Sequence, residues 1–277
     1  MAVLMLAGGL NCDWSRLCFK RNTNLALVIR GAHETQTLTH PAWTPDGSQL
    51  YYLTAEGQGM SSWGGALWLV DADGKDAHQV LADTFCALAV SSDGREIALA
   101  VGPGGLEGGR LAAYHVTEGR LESLPATGHD IYRVLFSRTY PLKLYYSSRN
   151  LGVYRINLDG TGEEPVSHSE AEFLESAFAD SVLLPWVHPE GRLAVDVGYA
   201  SVPLWGSGTC DLVTIDRVAH DTTFLHANPY KYSSVYYPVW SPDGRDVAFG
   251  AAMDDGDPLM PQDGEIWILH DVLPGSD

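Results

Sequence analysis

The string Pro238-Val239-Trp240-Ser241-Pro242-Asp243-Gly244, followed by Arg245-Asp246-Val247-Ala248-Phe249, constrains this chain more than any other feature. It reads as strand, tight turn, strand. Pro242 sets the φ that a turn needs at its second position. Asp243 can hydrogen-bond its own backbone, and Gly244 supplies the positive φ that closes the hairpin. Val247 and Phe249 alternate, so one face of the following strand points into a core. Nearly the same residues occur at Pro41-Ala42-Trp43-Thr44-Pro45-Asp46-Gly47, followed by Ser48-Gln49-Leu50-Tyr51-Tyr52. Two copies of so specific a string define an internal repeat.

Weaker copies fill the chain. Leu88-Ala89-Val90 leads into Ser91-Ser92-Asp93-Gly94 and then Glu96 to Ala100. Val134-Leu135-Phe136 and Lys143 to Tyr146 flank a turn that has lost its glycine, and Val182 to Val187 reaches the turn His188-Pro189-Glu190-Gly191. Asp71-Ala72-Asp73-Gly74 and Leu158-Asp159-Gly160 turn the chain later in their units. The motif turns recur at roughly 47–53 residues, the length of four-stranded antiparallel propeller blades. The predicted fold is therefore an all-β, six-bladed β-propeller in one domain, 1–277. Its units are about 1–39, 40–81, 82–125, 126–168, 169–228 and 229–277. The first unit carries an extra apolar segment, Val3 to Leu6, and the last has no clear fourth strand after Leu269. An N-terminal strand that completes the last blade would close the ring and remove its open edge. The alternative is a partial ring from a seven- or eight-bladed parent.

With 35 acidic and 17 basic residues the net charge is −18. That disfavours nucleic acid and anionic membranes as partners, since both require a basic surface. No stretch approaches the roughly 20 apolar residues of a membrane span. Met1 to Leu10 is apolar but short, broken by Gly8 and Gly9 and without a basic leader, so no signal peptide is expected and the chain as written fits the cytoplasm. A periplasmic or secreted protein is the alternative if a leader has been removed. Cys12, Cys18, Cys86 and Cys210 show no metal-site spacing and fit a reducing compartment, with a Cys12–Cys18 bridge as the alternative.

The words Pro-x-Trp-Ser/Thr-Pro-Asp-Gly, then a strand ending in Asp-x-Asp-Gly, resemble the TolB-type (WD40-like) propeller repeat, closely at 41–74 and 238–249. The resemblance implies a propeller. It leaves function open, because such propellers serve as docking platforms, accessory domains of peptidases and carbohydrate-active enzymes. The last two units, at Val182 to Val197, Asp211 to Ile215 and Val239 to Phe249, are similar to the oligogalacturonate lyases, a metal-dependent family of such propellers. In that family histidines and a glutamine hold the metal at the channel mouth. Here Val235-Tyr236-Tyr237 precedes the last inner strand, with no histidine.

Tyr230, Tyr232, Tyr236 and Tyr237 crowd the entry to the last inner strand, with His226 beside them. Aromatic rings with polar tips suit a sugar or peptide platform, and they equally suit packing between blades. Trp205 lies in a loop inserted into the repeat, a position that commonly carries function. His40, His129 and His226 stand nearest the inner strands and are candidates for a metal or acid–base site, or else are separate hydrogen-bonded side chains. Asp254, Asp255 and Asp257 share one loop, a candidate cation site or a solvated acidic turn. No Gly-x-Ser-x-Gly elbow and no phosphate-binding loop is present.

Three functions follow. The first is a non-catalytic platform for a protein, peptide or saccharide at the channel mouth, with no cofactor. The second is a polyuronide lyase, with Mn or Ca as its cation. Its site must be locally basic, and Arg133, Arg138, Arg149 and Arg155 are the notable cluster. The third is a structural module of a larger assembly. Oligomeric state is not legible from the sequence.

Overall fold

The computed structural model describes residues 24–32, 36–56, 64–102, 109–126, 130–149, 151–169, 173, 182–200, 209–227, 229, 233–253 and 264–273. In chain order its strands are β1 (Leu25–Arg30), β2 (Gln36–Trp43), β3 (Gln49–Glu56), β4 (Gly65–Asp71), β5 (His78–Val90), β6 (Glu96–Val101), β7 (Arg110–His115), β8 (Arg120–Ser123) and β9 (Ile131–Phe136). There follow β10 (Lys143–Ser148), β11 (Gly152–Asn157), β12 (Glu164–Ser167), β13 (Leu193–Ala200), β14 (Thr209–Asp216), β15 (Thr222–Phe224), β16 (Ser233–Trp240), β17 (Val247–Met253) and β18 (Gly264–Leu269). Among the described residues no helix is long and apolar enough to cross a membrane.

The strands pair as consecutive antiparallel meanders. The first is β2-β3-β4-β5. Strand β5 then continues without a turn: residues 78–81 pair with β4, and 87–90 pair with β6, opening the second meander β5-β6-β7-β8. The third is β9-β10-β11-β12. In the fourth, β13-β14-β15, residues 182–187 flank β13 through the Val187–Ala194 bridge and a Val195 N–H bond to the Trp186 carbonyl (2.8 Å). The fifth is β16-β17-β18, with β1 on the outer edge of β18.

The central strands read as unbroken apolar runs because both of their faces are covered. Successive residues point to opposite faces. Leu50 and Tyr52 therefore pack toward the β16–β18 sheet, while Tyr51 and Leu53 pack toward β5 and β6. Ile97 and Leu99 face the β3–β4 side, and Ala98 and Ala100 face β9 and β10. Tyr145 joins Val182, Leu184 and Val187, whereas Val195 and Leu212 join Phe249 and Trp267. Each of these five clusters lies between two neighbouring sheets, the last and the first included. No sheet of this kind is stable alone; burial between neighbours supplies the core.

One sequence expectation changes, the identity of the segment on the outer edge of β18. The described residues make five such units, and most of the first unit expected from the sequence, 1–39, falls outside them. Residues 1–23 fall outside the described residues, Leu25–Arg30 joins the last sheet, and Gln36 to Thr39 already belongs to β2. The segment on the outer edge of β18 is thus β1; Val3 to Leu6 lies outside the described residues. The physical reason is pairing capacity. β1 offers buried Val28 to Ile266 and Ile268, and Arg30 Nε reaches Glu265 Oε1 at 2.6 Å. It has no Pro-Asp-Gly turn with which to start a meander of its own.

The motif turns form as the sequence predicts. In three of them the hydroxyl of Thr44, Ser91 or Ser241 donates to the Asp two residues on, at 2.6–2.7 Å, and accepts the N–H of Gln49, Glu96 or Asp246 at 2.9–3.1 Å. Gly47, Gly94 and Gly244 all have positive φ. At the fourth such turn His188 replaces the hydroxyl residue. It accepts the Glu190 N–H on Nδ1 at 3.2 Å and donates from Nε2 to the Gly244 carbonyl of the next turn at 3.1 Å.

Candidate functional site

The inner segments of the five units surround a cavity of about 1090 Å³. The position four residues before each turn's Ser, Thr or His defines one level of it: His40, Ala87, Arg133, Leu184 and Tyr237 all line the cavity. At two of these the ladder is interrupted, between Thr39 and Ala42 and between Tyr236 and Val239. His40 (φ 53) and Tyr237 (φ 51) sit at the interruptions in the left-handed region, each before a proline. Such bulges re-aim a side chain out of the strand's alternation, and positive φ in a non-glycine is retained only where the surroundings hold it.

The consequence is a stacked pair. The His40 and Tyr237 rings lie 3.9 Å apart between centroids, at 25°. Arg133 stands over the Trp186 ring at 4.9 Å, a cation–π geometry. Tyr237 keeps 39% of its surface exposed. The surrounding protein nevertheless desolvates both rings. Burial, reinforced by the Arg133 charge, pushes the His40 imidazole down to about 3, so it is neutral at pH 7. Burial raises the Tyr237 phenol, with Arg133 opposing. The Cys86 thiol, buried at the same end, is pushed up to about 11 chiefly by desolvation. It is therefore a poor nucleophile.

Charge separates this cavity from the rest of the chain. Arg133, Arg138 and Arg149 line it, and among the described residues its lining contains no Asp or Glu. Arg149 follows β10, whose Ser148 lies opposite Ile131, so it stands at the Arg133 end. Arg138, beyond the other end of β9, donates from Nε to the Val182 carbonyl at 2.9 Å. Arg155 is not part of the lining; it donates to Glu164 at 2.9 Å.

The other sequence candidates are dispersed. Tyr236 turns away from the channel and packs its ring against Gly250, 5.7 Å from Tyr237 in a T-shaped contact. Its phenol is raised by burial, with Tyr237 and Glu265 adding to the shift. His226 lies outside the cavity lining, with Nδ1 3.5 Å from Asp211 Oδ2. Among the described residues no group of three or more His, Cys, Asp or Glu is placed to hold a metal. Tyr230, Tyr232, Trp205, His129, Asp254, Asp255 and Asp257 lie outside the described residues, as do Cys12 and Cys18. Sequence reasoning named Arg133 only as part of a cluster and did not single out Trp186. The signal was available: Arg133 occupies the same repeat position as His40 and Tyr237.

No family model matches the chain, and no curated protein matches it. Among solved structures, oligogalacturonate lyase from Vibrio parahaemolyticus is 12% identical with a TM-score of 0.46, over 90% of this chain and 92% of that one. TolB from Acinetobacter baumannii is 13% identical with a TM-score of 0.37, over 83% of this chain. The tricorn protease is 12% identical with a TM-score of 0.37, also over 83% of this chain. The match spans 54% of the TolB chain and 20% of the tricorn chain. At such scores these likenesses assign the chain to no family. By its own strand pairing it is an all-β protein of consecutive antiparallel meanders in a propeller-like arrangement.

Proposed function

We propose that the chain is a non-catalytic binding protein that holds its ligand in the central cavity, within a ring closed by β1. Closure is supported by the β1–β18 ladder and by the apolar cluster that joins β2 to β4 with β17 and β18. One observation carries the binding reading: a cavity of about 1090 Å³, lined by three arginines and no described carboxylate, inside a chain of net charge −18. Random placement of so acidic a composition would put carboxylates there, and a concave, mostly apolar site with a few convergent polar groups is the usual form of a ligand pocket. The stacked His40–Tyr237 pair and the Arg133–Trp186 pair supply flat faces for a peptide side chain or a sugar ring. The test is a thermal-shift screen of peptides, saccharides and small carboxylates on the wild-type protein, His40→Ala and Tyr237→Ala. Ligands that stabilise the wild type should lose most of that effect in both variants. Undiminished stabilisation in both variants would move the site elsewhere.

A second reading, the polyuronide lyase, is favoured by the fact that three of the four arginines it calls for line the cavity. Against it stands the low basicity of His40, since a group at about 3 removes a carbon-bound proton poorly. Unsaturated product from uronide oligomers, with or without added Mn or Ca, would establish it.

A further inference from the structure

We infer that the ligand of this cavity is an elongated amphiphilic anion, with an apolar body and an anionic group at each end; the inference rests on the cavity being the binding site. The polar side chains of the lining separate into two levels. At one end stand His40, Tyr132, Arg133, Arg149 and Tyr237; at the other stand Ser91, Ser92, Ser241 and Arg138. Between them the wall is Ala42, Ala89, Val134, Leu135, Trp186 and Val239 and their apolar neighbours. Pro41, Pro185 and Pro238 also lie on this wall, where each removes a backbone N–H that a ligand could otherwise accept from.

A saccharide needs hydrogen-bonding groups along its whole length, because every hydroxyl stripped of water without a partner is costly. This wall does not supply them. An alkyl or aryl body gains from the same wall by burial. Both polar levels carry arginine, whose planar fork pairs with carboxylate in two parallel bonds. Arg133 lies on β9 and Arg138 in the bend beyond its far end, so the two arginines stand at opposite ends of the lining. A long aliphatic dicarboxylate such as tetradecanedioate carries that combination of two anionic ends and an apolar body.

Titration of the full chain with tetradecanedioate, its dimethyl ester and a galacturonate oligomer tests this. Fluorescence of the channel tryptophans and calorimetry provide the readouts. The dicarboxylate should bind at least tenfold more tightly than the ester, and Arg138→Gln and Arg149→Gln should each weaken it about tenfold. Those exposed or half-exposed positions tolerate the change, and unaltered melting temperatures of the variants would verify it. Equal binding of diacid and ester, or no effect of either substitution, would overturn the anionic inference while leaving the cavity as a binding site. Tighter binding of the galacturonate oligomer would overturn it in favour of a saccharide. Failure of all three probes together with a blank thermal-shift screen would overturn the cavity reading itself.

Discussion

Replacing Gly244 by alanine is expected to be far more costly than the same change at Gly47, although the two glycines occupy the same place in the repeat. Both have positive φ, +73 and +71. A Cβ in that region costs about 1 kcal/mol, so this part is common to both. The surroundings differ. At Gly47 the nearest atom to a new Cβ is Pro242 Cδ at 3.8 Å, an ordinary contact. At Gly244 the new Cβ would lie 2.8 Å from His188 Cε1 and 3.0 Å from Cδ2, and closer still to Nε2. His188 is 6% exposed, edge-on to Trp240 at 4.9 Å, and it donates to the Gly244 carbonyl. It must be displaced, and a buried donor that loses its acceptor costs about 2 kcal/mol. The sum for Gly244→Ala is about 3 kcal/mol, a fall of about 6–12 °C in melting temperature for a domain of this size. Gly47→Ala should lower it by about 2–4 °C. Thermal and urea unfolding of both variants measure this. A His188→Ser background, which restores the hydroxyl residue found at the other turns, should reduce the Gly244→Ala cost to that of Gly47→Ala. Equal costs at the two glycines in the wild-type background would refute the steric argument, and no cost at either would refute the turn geometry.

Two further outcomes follow from the charged groups. The folded His40 imidazole lies at about 3 against about 6.5 unfolded. The unfolded state then binds more protons in that window, so stability rises with pH between about 3 and 6.5. His40→Phe should flatten the slope, and an NMR titration placing the His40 midpoint near 6.5 would contradict the assignment. Asp216, bonded by the Val218 and Ala219 N–H groups at 2.9 Å and by Arg192 at 2.7 Å, is held down to about 2. Its contribution is full above the ordinary carboxylate range and is lost as pH falls toward 2. The stability gap between wild type and Asp216→Asn should therefore narrow from pH 5 to pH 2, and a constant gap would show the carboxylate to be unimportant. Finally, deleting residues 1–31 should bare the edge of β18 and produce self-association in sedimentation, because an unpaired apolar edge templates further pairing. A stable monomer would refute the closing role of β1.

The repeat determines most of the local architecture. Trp-Ser/Thr-Pro-Asp-Gly specifies its own turn, and strands such as Leu50 to Leu53 or Val247 to Phe249 are apolar at every position because neighbouring sheets bury both faces. Those properties are local, and they are written in adjacent residues. The positive φ of Gly244 and the turn role of His188 were legible for the same reason, whereas the hydroxyl-to-Asp bonds of Thr44, Ser91 and Ser241 came only with the structure. The assignment of 25–30 was not. Its apolar pattern says strand, but the choice between a separate meander and the edge of β18 depends on a partner some 240 residues away, Glu265 among its contacts.

The site divides in the same way. His40 and Tyr237 could each be named from the sequence, one as a metal candidate and the other as a platform residue. That they form one stacked pair follows from the last unit packing against the first. Residue types determined that Arg133, Arg138, Arg149 and Arg155 were basic. Only the tertiary structure decided that three line a cavity while Arg155 pairs with Glu164, because they sit on β9, beyond the ends of β9 and β10, and on β11, and the packing of those segments sets where each side chain lies. The sequence by itself determined the repeating unit, since turn and strand chemistry act over a few residues. The tertiary structure alone decided that the last unit packs against the first, which side chains converge, and where the positive charge of an acidic chain is gathered. Those are contacts between residues that chain order keeps far apart.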